Sequence, residues 1–312
     1  MRELTVRSQS NLQAIPAFDT ASFYRWTSFI DASRKTIDTY NRAIKQFAFY
    51  LASKGISNPT REDVLNYREE LKATHKPTTV QLYLSAVKLF FQWTNQEGKY
   101  PNIAEHVKGA KLDTEHKKDY LTSKQVSKLL SKIDRSTLSG KRDYAILSLM
   151  ATTGLRTISV VKANIEDIRP AGDAMALYYQ GKGHAEKALY VKLAEPVEEA
   201  IREYLNARGE TSAKEPLFSS NANRNGGQRL TTRSVSRIAK EHLIEAGLNS
   251  ERWTAHSLRH TAATLNLQAG ASIEETQQLL AHKSINTTLI YSHALERAKN
   301  NSEERIAKVI FG

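Results

Sequence analysis

The chain has 312 residues, 40% hydrophobic and 25% charged, with no cysteine and a formal net charge of +12 at pH 7. Its length favours two domains. The lack of cysteine excludes disulfides, thiolate metal sites and a cysteine nucleophile. No apolar run is long enough to span a bilayer. The start lacks the basic-then-apolar pattern of an export signal, so a cytoplasmic protein with no membrane partner is expected. The basic excess is carried by both halves of the chain and points to a polyanion partner.

Residues 1–20 show no sustained periodicity and read as a flexible arm. Ile37, Tyr40, Ile44, Phe47 and Leu51 recur at steps of three and four, which predicts one helical face, with Gly55 as its stop. Thr60 is placed to cap a second helix that carries acids in its first turn. Val80, Leu84, Val87 and Phe91 repeat the stepping, and Gly98 closes that segment. Residues 21–109 are therefore predicted to form a small all-helical domain. The polar, charged stretch 110–119 reads as a linker. A second domain, 120–312, opens with Thr122 and Gln125 spaced for a capping box and Leu121 placed to pack on Val126. The period changes over Ala174–Leu193, where two aliphatic and tyrosine-rich runs flank "GKGHAE" and predict a β-hairpin with a glycine-rich turn. Pro196 is expected at the first position of a following helix. "TTRSVSRIAKEHLIEAG" predicts another helix, and Ser272 with Glu275 a further capping box. The expected fold class is mainly α with a small β-hairpin or sheet, an α+β arrangement.

Four short segments carry chemistry: "TTGLRTISVV" with Arg156, "GKGH" with Lys182, "TAHSLRHTAA" with His256, Arg259 and His260, and "LLAHKSINTTLIYSHAL" with His282 and Tyr291. Taken singly, each has an ordinary reading as a salt-bridge partner, a turn lysine or a structural histidine. No carboxylate accompanies the histidines, so no metal site is expected. Together they describe something else. Two arginines can clamp phosphate oxygens with a charge that does not titrate away. A lysine can donate a proton, and two histidines can bond a phosphate or move protons near neutral pH. Tyr291 supplies the nucleophile. Phosphoryl transfer needs mainly alignment and charge stabilisation, and this many cations can stand in place of a metal ion.

By these motifs, in this order and approximate spacing, the chain resembles the tyrosine recombinases, the phage integrase family of site-specific DNA recombinases. The resemblance is carried by motif from about Tyr120 to Leu295. Over the helical region before it, the similarity to the family's core-binding, SAM-like domain lies in layout alone. It implies that Tyr291 attacks the scissile phosphate, leaving a 3′-phosphotyrosyl link that proceeds through a Holliday junction. It implies that Arg156 and Arg259 hold the phosphate oxygens and that Lys182 protonates the departing 5′-oxygen. His256 and His282 assist at the phosphate, and His260 supports them. Neither metal, ATP nor other cofactor is implied. The chain departs from the family pattern at Ser159, where an acidic residue is usual; that carboxylate helps to orient a catalytic histidine.

The expected partners are double-stranded recombination sites gripped by both domains, a homo-tetramer built through exchange of the tail 296–312, and accessory DNA-bending proteins. Arg233, Arg237 and Lys240, at steps of four and three, are candidates for DNA contact against the plain reading of a solvated charged face. The resemblance implies an enzyme of a phage or mobile element, or a Xer-like one, acting on the nucleoid. The alternatives are a type IB topoisomerase-like DNA relaxation activity and an inactive or weakly active DNA-binding regulator.

Overall fold

The computed structural model describes residues 20–111, 119–181, 186–209, 211–222 and 226–312. The chain divides into two compact units, Met1–Glu115 and His116–Gly312. The predicted arm, apart from Thr20, which opens α1, and most of the predicted linker lie outside the described residues.

The first unit holds α1 (Thr20–Phe29), α2 (Arg34–Ser53), α3 (Arg61–Thr74) and α4 (Pro77–Gln96). Local chemistry sets their starts. The Ser33 hydroxyl accepts from the Thr36 N–H ahead of α2. Thr60 and Asp63 form a capping box ahead of α3. Pro77 opens α4, where its missing N–H leaves no bond unmade. The apolar stripes turn inward, with Ile44, Phe47, Leu51, Val80, Leu84, Val87 and Phe91 all buried; Ile37 and Tyr40 pack on the margin of that core. Its centre is aromatic. The Phe47 and Tyr67 rings meet at 4.9 Å, and the Trp26 and Phe90 rings meet edge to face at 5.4 Å. Such pairs add about 0.5–1.5 kcal/mol each beyond the area they bury. Trp26, fully buried, ties α1 to this core.

The second unit contains α5 (Ser123–Ser131), α6 (Leu138–Thr153), α7 (Thr157–Lys162), a 3-10 turn (Ile165–Asp167), β1 (Ile168–Ala171), β2 (Ala174–Tyr179) and β3 (Leu189–Lys192). Then follow α8 (Glu195–Arg208), α9 (Thr232–Glu245), α10 (Ala255–Gln268), α11 (Ile273–Leu280), α12 (Asn286–Lys299) and α13 (Ser302–Phe311). Helix α6 is buried on every side, including Ala145, Ile146, Leu147, Leu149 and Met150 in one run. It packs against α8, α9 and α10, and a helix surrounded in this way shows no amphipathic stripe in its sequence. Leu121 is buried in the same core and Val126 packs against it. The Leu121 N–H donates to the Thr261 hydroxyl, which pins the start of this unit onto α10.

The three strands form an antiparallel sheet in the order β1-β2-β3. The predicted hairpin is β2 and β3, with Tyr178 opposite Tyr190. Its tip, 182–185, lies outside the described residues. Strand β1 was not expected. It reads "IRPA", and a proline within so short a run gives no strand signal, although proline is tolerated on a sheet edge. Pro196 stands second in α8 rather than first. No described helix is long and apolar enough to cross a membrane.

Candidate active site

The site is built where the ends of α6, α11 and β2 approach α10 and α12. Helix α6 stops at Gly154, whose φ of 63° is the left-handed region that favours glycine. A Cβ there would sit 2.6 Å from Leu280 Cδ2 and 3.2 Å from Ala262 Cβ. Glycine is thus required twice, by conformation and by close approach. Two residues on, Arg156 takes the N-cap position of α7 with its side chain partly exposed.

Arg259 rises from α10 into this junction, 4% exposed. Its Nη1 donates to the Gly154 carbonyl and its Nη2 to the Leu280 carbonyl, both at 2.6 Å. One guanidinium therefore fixes the turn that presents Arg156 and the end of α11 that presents His282. Two donors are used, and the fork has others left. Burial, and secondly the charge of Arg156, hold its pKa down at about 10, so it remains a cation at neutral pH. Among the described residues, neither Arg156 nor Arg259 meets a carboxylate. A buried, unpaired positive charge is costly, and an anion is what relieves it.

His282 follows Ala281, a non-glycine residue at φ 47° that ends α11. Its carbonyl accepts from Gln277 Nε2 at 2.9 Å, and its Nδ1 lies 2.9 Å from the Thr288 hydroxyl. Burial first, then Arg259, Arg156 and His256, push its pKa down to about 4. The ring is neutral at pH 7.

Tyr291 sits on α12, 6% exposed. Its ring lies parallel to His282 at 6.4 Å and tilted to His260 at 5.3 Å; His260 in turn meets His256 at 4.7 Å. Burial raises the Tyr291 pKa, while Arg259 and Arg156 pull it the other way. A phenol in that field is protonated at rest but gains support for its anion as charge develops.

The structure therefore brings Arg156, Arg259, His256, His260, His282 and Tyr291 together. Lys182 lies outside the described residues. Its neighbour Gly181 lines a cleft of roughly 430 Å³ together with Arg156, Leu189, Ala281, His282, Lys283, Ser284 and Thr287. Ser159 is buried in the first turn of α7. His256 and His260 stand one helical turn apart, a spacing suited to metals, yet no group of three potential ligands forms among the described residues.

The three cationic candidates on α9 part company. Arg233 and Arg237 are exposed, and Arg237 faces Glu241 at 3.9 Å. Lys240 is half-buried and donates to the Ser250 carbonyl at 2.8 Å, so it tethers a loop. Two residues at the site escaped the sequence reading. Thr288 lies behind His282. Tyr179, buried on β2, lies in the field of both site arginines; burial raises its pKa and Arg259 and Arg156 lower it. Adjacency to the "GKG" and "HKS" motifs was the available signal for both.

Residues 119–297 match the phage integrase family, and residues 30–98 match the phage integrase N-terminal SAM-like domain. The chain belongs to the phage integrase family. It is a tyrosine-type site-specific DNA recombinase. It is 32% identical over 267 residues to the tyrosine recombinase XerC of Pelobacter propionicus, covering 84% of this chain and 85% of the relative. It is 29% identical to XerC of Chlamydia muridarum, covering 89% and 95%. The fold is similar to XerH bound to its palindromic difH substrate, with a TM-score of 0.72 at 22% identity, covering 94% of this chain and 84% of that one. It is also similar to a lambda integrase fragment bound as a dimer to a core site, with a TM-score of 0.67 at 20% identity, covering 85% and 95%.

Proposed function

We propose that this recombinase cleaves and rejoins DNA with Tyr291 as nucleophile. The carrying observation is a buried phenol beside two arginines that no described carboxylate neutralises. Arg156 and Arg259 grip the non-bridging oxygens of the scissile phosphate. The Tyr291 Oη forms a bond to phosphorus as its proton passes to a neighbouring histidine or to solvent. The bond from phosphorus to the 5′-oxygen breaks, and Lys182 protonates that oxygen. The products are a 3′-phosphotyrosyl link and a free 5′-hydroxyl. The link conserves the energy of the broken phosphodiester, so attack by the 5′-hydroxyl of another strand rejoins DNA without ATP. His282 and His256 bond the phosphate or pass protons, and His260 braces Tyr291. Two such exchanges pass through a Holliday junction.

Four protomers on two sites suit this sequence of cuts. Helix α13 exposes Ile306, Val309, Ile310 and Phe311, with Val309 and Phe311 each more than four-fifths exposed. Such a face fits a neighbouring protomer, and a head-to-tail donation closes into a ring. Arg233 and Arg237 contact DNA phosphates, and binding weakens as salt rises. The relatives named XerC favour a Xer-like role in the cytoplasm, on the nucleoid; direct repeats flanking the gene would instead mark an element integrase. Accessory DNA-bending proteins belong to the same reading.

The test is Tyr291→Phe on a nicked suicide duplex. The variant binds DNA and forms no covalent adduct; an adduct sinks the assignment. Deleting Ile306–Gly312 abolishes synapsis if the tail acts between protomers, and unchanged synapsis removes that role.

A further inference from the structure

His282 leaves the end of α11, and Thr288 lies in the first turn of α12, one turn before Tyr291. Thr288 is fully buried, and its Oγ1 is 2.9 Å from His282 Nδ1. Among the described residues this hydroxyl has no other partner. Either atom of the pair could donate, so the direction has to be argued. A buried hydroxyl whose hydrogen has no acceptor is destabilising. If the Nδ1 carried the proton, the Thr288 hydrogen would be stranded in that way. The Thr288 O–H therefore donates, and Nδ1 accepts. An imidazole that accepts at Nδ1 carries its hydrogen on Nε2.

The ring has to be neutral for this choice to exist. The groups that face it are Arg259 and His256 on α10, Arg156 ahead of α7, and the Tyr291 phenol on α12. No described carboxylate stands among them, and the arginines and burial together oppose a charged ring. A neutral ring has two tautomers, and they are opposite in use. With hydrogen on Nε2, the ring offers a donor to an anion. With hydrogen on Nδ1, it presents a lone pair to that anion and repels it.

We propose that Thr288 is a positioning residue that holds His282 in the Nε2–H tautomer, so that the ring offers a donor to the phosphate held by Arg156 and Arg259. The tautomer follows from the hydrogen-bond geometry of a neutral ring, while its use rests on the recombinase chemistry proposed above. The same bond joins the His282 ring to the helix that carries Tyr291, three residues further on. A displacement of α12 thus moves donor and nucleophile together.

The experiment uses the full chain with 15N-labelled histidine. Long-range proton–nitrogen spectra read the tautomer of each ring, and His282→Gln identifies the His282 signals. Wild-type protein without DNA is expected to show a protonated Nε2 and a bare Nδ1. Thr288→Val, similar in shape but without the hydroxyl, is expected to shift His282 towards the other tautomer. Thr288→Ser is expected to restore the wild-type pattern. Single-turnover cleavage of a suicide duplex is expected to fall at least about tenfold in Thr288→Val at saturating DNA. Affinity for DNA should hold, and Thr288→Ser should recover the rate. A wild-type His282 protonated on Nδ1 overturns the proposal even if the valine variant does not fold. So does a valine variant with unchanged tautomer and rate. Failure of wild-type protein to form any adduct counts against the recombinase chemistry, and the tautomer still decides the assignment of Thr288.

Discussion

The His282 ring stacks on the Tyr291 ring, 10° from parallel and 6.4 Å away between centroids. The pair joins a neutral imidazole to a buried phenol in the field of two arginines. With the His282 pKa near 4, the ring stays neutral from pH 7 down to pH 5. Single-turnover cleavage should therefore show no step from His282 in that window. A fall centred near pH 6.5 that vanishes in His282→Gln would contradict this. Stability follows the same shift. The unfolded ring takes up a proton near its ordinary pKa of 6.5 while the folded ring does not. Stability from this group is full above 6.5 and declines as pH falls towards 4. Melting of His282→Gln should be less acid-sensitive than wild type over that range.

His242 behaves in the opposite sense. It bridges α9 to α6, with Nε2 3.2 Å from Asp143 and Nδ1 2.7 Å from Glu245. The Asp143 hydrogen bond is the largest cause of its raised pKa, ahead of the opposing effect of burial. A raised folded pKa gives stability that is complete below 6.5 and is lost as pH rises through the folded value. His242→Gln should lose about 1–2 kcal/mol at pH 6 and less at pH 9, because hydrogen bonds to a charged ring are the stronger ones. Denaturant melts at the two pH values check it, and an equal loss at both refutes the charged bridge.

Gly154→Ala should damage site and fold together. The new Cβ meets Leu280 and Ala262, and φ 63° disfavours alanine. A backbone held in that region costs about 1–3 kcal/mol. Because the Gly154 carbonyl also receives Arg259, cleavage should fall more than DNA binding does. A thermal melt with paired binding and cleavage assays measures both, and a variant matching wild type in all three shows that the junction relaxes freely.

Ser159→Glu restores the acidic residue usual in the family. Ser159 is the third residue of α7, where the helix start favours negative charge, and Arg156 is one turn before it. The variant should keep or raise the cleavage rate. Its 4% exposure is the opposing consideration, since a carboxylate there loses water. A marked loss of cleavage with an unchanged melt rules the expectation out.

Much of this protein was written in short-range signals. The Thr60 cap and the capping pairs Thr122 with Gln125 and Ser272 with Glu275 act over a few residues, so local spacing places three helix starts. The β2–β3 hairpin shows as a change of period around glycines. Arg156, Arg259, His282 and Tyr291 stand out because their motifs are compact and ordered. Tertiary structure alone decided how they are held. Arg259 bonds carbonyls 105 and 21 residues away in sequence. Backbone carbonyls leave no trace in side-chain pattern, so no motif reveals that bond. Lys240 and Arg237 share a helical face in the sequence, yet one tethers Ser250 and the other meets solvent. Strand β1 exists because β2 offers it an edge. A residue type states what chemistry is available; the fold determines which partner uses it, because partners far apart in sequence meet only after the helices have packed.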